Sequence, residues 1–118
     1  MAGYLFYPTA DKEQDKIWTY TLETWGEAQA EKYLRDLHKH LEHLCATKSV
    51  WRKLPPAFDR LTAIGSNIFF SRYGQHLIFF REFPDGKIGI LSLLHQKSDL
   101  PARLAADLQR VIETDEGP

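Results

Sequence analysis

Along the chain, the spacing of apolar positions changes character several times. Tyr4–Tyr7 is a short aromatic run closed by Pro8, which predicts a strand. The stretch "ADKEQDKIWTYTLETW" then predicts a helix. Thr9 stands at its cap, and Asp11 and Glu13 lie in the first turn, where the helix dipole favours acids. Gly26 ends it. A second helix, "EAQAEKYLRDLHKHLEHLCA", has the clearest period: Ala30, Tyr33, Leu34, Leu37, Leu41 and Leu44 recur at three- and four-residue steps and make one apolar stripe. A joint of a residue or two around Gly26 forces the helices into an antiparallel hairpin.

The helical period stops in "TKSVWRKLPPAFDRLTAIGSN". Pro55–Pro56 breaks any helix there, and Trp51, Phe58 and Leu61 are the apolar anchors that would pin the loop. Three strands follow, at about Ile68–Tyr73, His76–Phe83 and Lys87–Leu94, with turns at Gly74–Gln75 and Asp85–Gly86. Asp-Gly is a favoured two-residue hairpin turn. The last segment carries Ser98 or Asp99 as a cap and Pro101 near the first turn. Leu100, Leu104, Leu108 and Val111 follow at helical spacing. The order strand, helix, helix, strand, strand, strand, helix predicts one α+β domain over residues 1–118. It would have an antiparallel sheet, an N-terminal helical hairpin packed on it and a C-terminal helix.

The hairpin "HLIFFREFPDGKIGILSLLHQ" has an unusual pattern, because both arms are apolar at nearly every position. With Asp85–Gly86 as a two-residue turn, Phe80 faces Leu91, Ile78 faces Leu93, and His76 faces His95. Directly opposed residues share a sheet face with Cβ atoms about 5 Å apart. The two histidines are therefore side by side at one sheet end, while Leu77, Phe79 and Arg81 point to the other face. Both faces are largely apolar. One takes the helical hairpin; the other needs the C-terminal helix or a partner, since a large bare apolar patch is uncommon in a monomer.

Composition narrows the field. With 118 residues and 43% apolar positions the chain can bury one real core. A net charge of -1 gives no overall electrostatic case for nucleic acid or a membrane surface. Neither GxGxxG nor GxxxxGK occurs, so no phosphate loop and no cofactor is implied. Cys45 has no second cysteine to pair with and fits a reducing cytoplasm. "MAGYLFYPTADKEQ" lacks a basic segment ahead of a long apolar run, so no signal peptide is expected. Apolar stretches fall well short of a membrane span.

Histidines are the main candidates for chemistry. Metal-free ribonuclease chemistry needs a base, an acid and a cation on the phosphate. His76 and His95 with Arg81 or Arg72 are the residues available for it, although strand parity places Arg81 on the opposite face from His76. Asp36, His40 and His43 share one helical face at a spacing that can hold Zn²⁺, but no cysteine pair, HExxH or distant fourth ligand accompanies them. A solvated helix face is the plainer reading, and no metal is expected. Cys45 beside the apolar stripe reads as a structural thiol. Trp51, Arg52 and Lys53 form a small aromatic-basic cluster with too few charges to define a nucleic-acid site.

Several of these stretches together resemble the ParE-type toxins of the RelE/ParE superfamily, the toxin half of bacterial toxin–antitoxin (plasmid stabilisation) modules. "DKIWTYTLETWGEAQAEKYLRDLHKHLEHL" is similar to that family's helical stretch, with its aromatic first helix, WG corner and QA-x-x-Y second helix. "GQHLIFFRE" and "ILSLLHQKSDL" resemble its middle and last strands. The resemblance spans about residues 4–100 and implies an antiparallel sheet carrying a helical hairpin. It also implies a cytoplasmic protein whose cognate antitoxin covers it with a C-terminal segment. RelE-like members cut mRNA on the ribosome with basic residues. His76 and His95 stand where those members carry strand arginines, which is the ParE pattern, and ParE-like toxins poison DNA gyrase. The resemblance thus implies gyrase inhibition by protein contact, without chemistry, and a ParD-like antitoxin. Arg72 and Arg81 are the candidate charged contacts, with Phe70 and Phe79 on the same face. Three departures stand out: Phe69 occupies a place where ParE-like chains commonly carry arginine, the loop "SVWRKLPPAFDRLTAIGSN" is unusual for the family, and the tail beyond Asp99 is longer and more helical. Ribosome-dependent mRNA cleavage through His76, His95 and Arg81, or a non-toxic interaction domain, are the alternatives.

Overall fold

The computed structural model describes residues 3–54 and 68–114, with side chains to residue 110. The proposed break at Pro55–Pro56, the anchors Phe58 and Leu61, and the Val111 side chain lie outside the described residues. The order is β1 (Tyr4–Phe6), α1 (Pro8–Trp25), α2 (Glu27–Ala46), a 3₁₀ turn (Lys48–Val50), β2 (Arg52–Lys53), β3 (Ile68–Tyr73), β4 (His76–Glu82), β5 (Ile88–His95) and α3 (Leu100–Thr114). This is the expected α+β arrangement.

Helix boundaries follow from backbone chemistry. Pro8, and not the residue after Thr9, opens α1; its fixed φ suits a first turn whose N–H has no partner. Extended Tyr7 is the cap residue, and Thr9 is buried inside the first turn instead of capping it. Gly26 serves both helices. Its N–H donates to the Leu22 carbonyl at 3.0 Å, and its carbonyl accepts from Ala30 N at 3.1 Å. At α3, Arg103 N donates to the Asp99 carbonyl at 2.9 Å, which places Asp99 at the cap.

The strands form one sheet in the order β1-β5-β4-β3-β2. β1 lies parallel to β5, with Leu5 opposite Gly89, so the sheet is mixed: an antiparallel meander with one parallel edge. β2, which the sequence pattern leaves in the irregular segment, pairs antiparallel with β3. Trp51 just before it donates from Nε1 to the Leu44 carbonyl at 2.7 Å and packs its ring against Phe69 and Phe80.

The β4–β5 hairpin reaches the expected pairing of His76 with His95 by an unexpected route. The turn holds three residues, not two: Phe83 N donates to Lys87 O at 2.8 Å, and Gly86 takes a φ of 89°. That positive φ is the glycine position of a three-residue hairpin loop. The longer loop moves the near end by one residue, so Phe80 pairs with Ile90 and Arg81 with Gly89. A bulge between Phe79 and Phe80 then restores the other register, and Phe79 pairs with Ser92, Ile78 with Leu93 and His76 with His95.

Both faces are covered by the chain itself. Ile78, Phe80, Ile88, Ile90 and Leu93 meet Leu37, Leu41 and Leu44 of α2 with Ala10 and Ile17 of α1. On the other face Ile68, Phe79, Leu91 and Leu94 meet Leu104 and Leu108 of α3. The apolar pattern of the hairpin arms is thus explained by helices on both sides.

Candidate functional site

The sheet end where β4 begins and β5 finishes carries the densest cluster of polar aromatic groups. His76 and His95 stand ring to ring, centroids 5.3 Å apart and nearly perpendicular. Tyr33 of α2 reaches down to them. Its hydroxyl lies 2.7 Å from His76 Nδ1 and accepts from Gln75 N at 3.3 Å. Gly74 makes this approach possible: its φ is 55°, and a Cβ there would sit 2.7 Å from the Tyr33 oxygen. Tyr73 packs on Tyr33, centroids 5.1 Å apart, and donates to the Tyr33 carbonyl at 3.1 Å. Burial raises the Tyr73 phenol to about 12, helped by the Asp36 charge, and burial with His95 alongside lowers His76 to about 4. At neutral pH His76 is therefore an uncharged imidazole.

Beside this pair opens a cleft with two lobes, about 490 and 350 Å³, which share Tyr20, His76 and His95. Trp25, Gln29 and Tyr33 line the first; Lys16 and Arg103 line the second. Tyr20 and Trp25 are 63% and 71% exposed, so α1 presents two large aromatic rings to solvent here.

The other candidates are distributed elsewhere. Arg72, Phe70, Phe79 and Arg81 share the α3-side face, as parity predicts, because Arg72 opposes Leu77 and Phe70 opposes Phe79. Arg72 is exposed and donates from Nε to Gly74 O at 3.3 Å. Phe70 is half-buried against Phe79, and Phe79 is fully enclosed, 1% exposed. Arg81 lies at the far end of β4, its guanidinium 5.8 Å from the Phe83 ring centre, its Nε buried without a hydrogen-bond partner among the described residues. The structure brings His76 and His95 together and leaves Arg81 on the opposite face.

Among the described residues no three His, Cys, Asp or Glu side chains converge in a metal-binding arrangement. Asp36 is paired with Lys32 at 2.9 Å, and His40 Nε2 lies 2.9 Å from Ser71 Oγ. His38 is held between the Tyr4 hydroxyl and the Gln14 amide.

A second polar cluster escapes the sequence pattern. Ser92 is buried on β5, its Oγ 2.6 Å from Asp107 Oδ2 of α3 and 3.3 Å from Glu13 Oε1 of α1. The same Glu13 oxygen accepts from Leu93 N at 2.8 Å. Burial, then the Asp107 carboxyl beside it, pushes Glu13 up to about 8. The available signal is Asp107 itself, which falls on the apolar spacing set by Leu100, Leu104 and Leu108.

Comparison with known proteins identifies the lineage. Residues 4–100 match the family described as ParE toxin of type II toxin-antitoxin system, parDE. The chain belongs to the ParE toxin family. It is 31% identical over 104 residues to Toxin ParE1 from two strains of Mycobacterium tuberculosis, covering 86% of this chain and 96% of the relative. It is 28% identical over 107 residues to Toxin ParE1 of Caulobacter vibrioides, covering 88% and 99%. The matched span of this ParE-family chain holds β1 through β5, including the histidine pair, and stops at the first residue of α3. Among the described residues no helix is long and apolar enough to cross a membrane.

Proposed function

We propose that this chain is the toxin of a type II toxin–antitoxin module that acts in the cytoplasm, inhibits DNA gyrase by protein contact, and is neutralised by a ParD-like antitoxin. The observation that carries this reading is the family match across residues 4–100. Two features of the site favour contact over chemistry. A general acid at neutral pH needs a pKa near neutrality, and His76 lies near 4. Arg81, the cation needed for phosphate in a cleavage mechanism, stands on the opposite sheet face. The partner surface we place on β3 and β4, with Arg72 and Arg81 as charged contacts and Phe70 between them. Phe79, enclosed beneath α3, supports Phe70 from within.

The test is DNA supercoiling by purified gyrase with the purified chain added. Lost supercoiling with trapped cleavage complexes is expected, and Arg81→Ala is expected to weaken inhibition or antitoxin affinity at least about tenfold, about 1.4 kcal/mol. Intact supercoiling with cleavage of mRNA on translating ribosomes would replace this reading with the ribonuclease one. Neither activity, with antitoxin binding retained, would leave a non-toxic interaction domain.

A further inference from the structure

The cleft between α1 and the histidine pair has three properties that belong together. The first is its hydrogen-bonding capacity. Lys97 N donates to His95 Nδ1 at 3.1 Å, so the neutral ring carries its proton on Nε2. For His76 the phenol of Tyr33 is the stronger donor and the imidazole nitrogen the stronger base. The other acceptor in reach of that phenol, Tyr73 O, is at 3.5 Å. The proton of neutral His76 is therefore also on Nε2. Neither Nε2 has a partner among the described residues, and neither is sealed from solvent. Two N–H donors on adjacent rings thus go unused in a cleft.

The second property is apolar. Tyr20 and Trp25 stand exposed beside these donors with no partner ring in contact among the described residues. The third is charge. Lys16 and Arg103 line the adjoining lobe, and the carboxyl that lines it, Glu13, keeps its proton and is occupied by Leu93 N. The cleft therefore presents donors and cations with no free carboxylate among its lining residues.

We propose that this cleft receives an acidic segment of a partner protein: one carboxylate shared by the Nε2–H groups of His76 and His95, and a neighbouring apolar side chain laid on Tyr20 and Trp25. A carboxylate offers two acceptor oxygens, one for each of two rings whose centroids lie 5.3 Å apart. Nucleic acid fits less well, because its binding rests on several cations displacing counterions. Here two stand at the edge of the cleft, and the whole chain carries a net charge of -1. The inference does not rest on gyrase being the target.

The test is a nitrogen-15 NMR titration of the full chain with a capped tripeptide that places aspartate between phenylalanine and leucine. The imidazole signals of His76 and His95 and the indole signal of Trp25 are expected to shift together and saturate. The asparagine counterpart is expected to bind at least tenfold more weakly, and Trp25→Ala, which removes a largely exposed ring, to weaken the aspartate peptide severalfold. Equal binding of both peptides, or no shifts, overturns the proposal; so does tighter binding of uridine 3′-phosphate, which would mark a nucleotide site. Peptide binding without gyrase inhibition would remove the gyrase reading and leave this inference standing; the reverse result would do the opposite.

Discussion

The two faces of the sheet are closed by different physics. On the α1–α2 side, α2 brings three leucines and α1 brings Ala10 and Ile17 onto Ile78, Phe80, Ile90 and Leu93, and the buried cluster is hydrocarbon. On the α3 side, one helix supplies Leu104 and Leu108, and next to them Ser92 ties Asp107 to β5 with Glu13 alongside. Apolar burial is non-directional and scales with area. A buried polar cluster is directional, and its worth depends on which members hold protons. The buried hydrocarbon cluster of the first face holds no titrating group, whereas the polar cluster of the second is a latch whose strength varies with pH.

The largest effect that tests this contrast is a core truncation. Leu41 is fully buried between two helices and the sheet, and Leu41→Ala is expected to cost about 2–5 kcal/mol in urea unfolding. Leu108→Ala, on the single helix that covers the other face, is expected at the low end of that range. Native-state hydrogen exchange sharpens the comparison: α3 amides are expected to open at lower free energy than those of α2. Equal opening energies would show that the two faces unfold as one unit and erase the distinction.

Next in size is the latch. Glu13 rises from its ordinary 4.5 to about 8 in the folded chain, first through burial and then through Asp107. The folded state thus binds more protons than the unfolded state between these values. Its contribution is complete below pH 4.5 and is lost as pH rises to about 8, with a slope up to about 1.4 kcal/mol per pH unit. Urea midpoints measured across that window are expected to fall, with α3 loosening first. Glu13→Gln keeps an acceptor for Leu93 N and removes the titrating group, so its midpoints are expected to stay level. A variant with the parental slope would place the pH dependence elsewhere.

How much of this was readable beforehand divides along the same line. Periodicity located α2 because Ala30 to Leu44 repeat on one face, and α1 ended where Gly26 must end it. The histidine pair is legible through strand register, although the two residues Asp85–Gly86 do not make up the whole turn: a three-residue loop and a bulge on β5 shift the pairing in opposite senses and cancel by the time the strands reach His76 and His95. One element and one strand pairing leave no periodic trace. β2 is two residues long, and the parallel pairing of β1 with β5 joins chain segments far apart. The role of Tyr33 was hidden because its ring counts as one more member of an apolar stripe, and its hydroxyl finds His76 only after α2 is laid on the sheet. Glu13 reads from the sequence as an acid in a first helical turn; because α1 opens at Pro8 only Asp11 lies there, and the Glu13 carboxyl is instead buried against Ser92 and Leu93.

The smallest expected effect concerns the histidine end, and it runs opposite to the latch. Burial, and then His95, lowers His76 from 6.5 to about 4. The folded state binds fewer protons than the unfolded state over that interval. Its contribution is complete above pH 6.5 and is lost as pH falls toward 4. The slope is less than about 1.4 kcal/mol per pH unit, because the ring borders the open cleft and solvent screens it. Between pH 4.5 and 6.5 this rise with pH opposes the fall from Glu13, so the parental chain is expected to show a shallow stability maximum in or near that window. His76→Gln, which keeps an amide beside Tyr33, is expected to flatten the acid side, and Glu13→Gln to carry the maximum above pH 6.5. If His76→Gln leaves the acid side unchanged, the imidazole is not held neutral by its surroundings. The unused Nε2–H donor assigned to it would then have to be established by its nitrogen-15 shift instead.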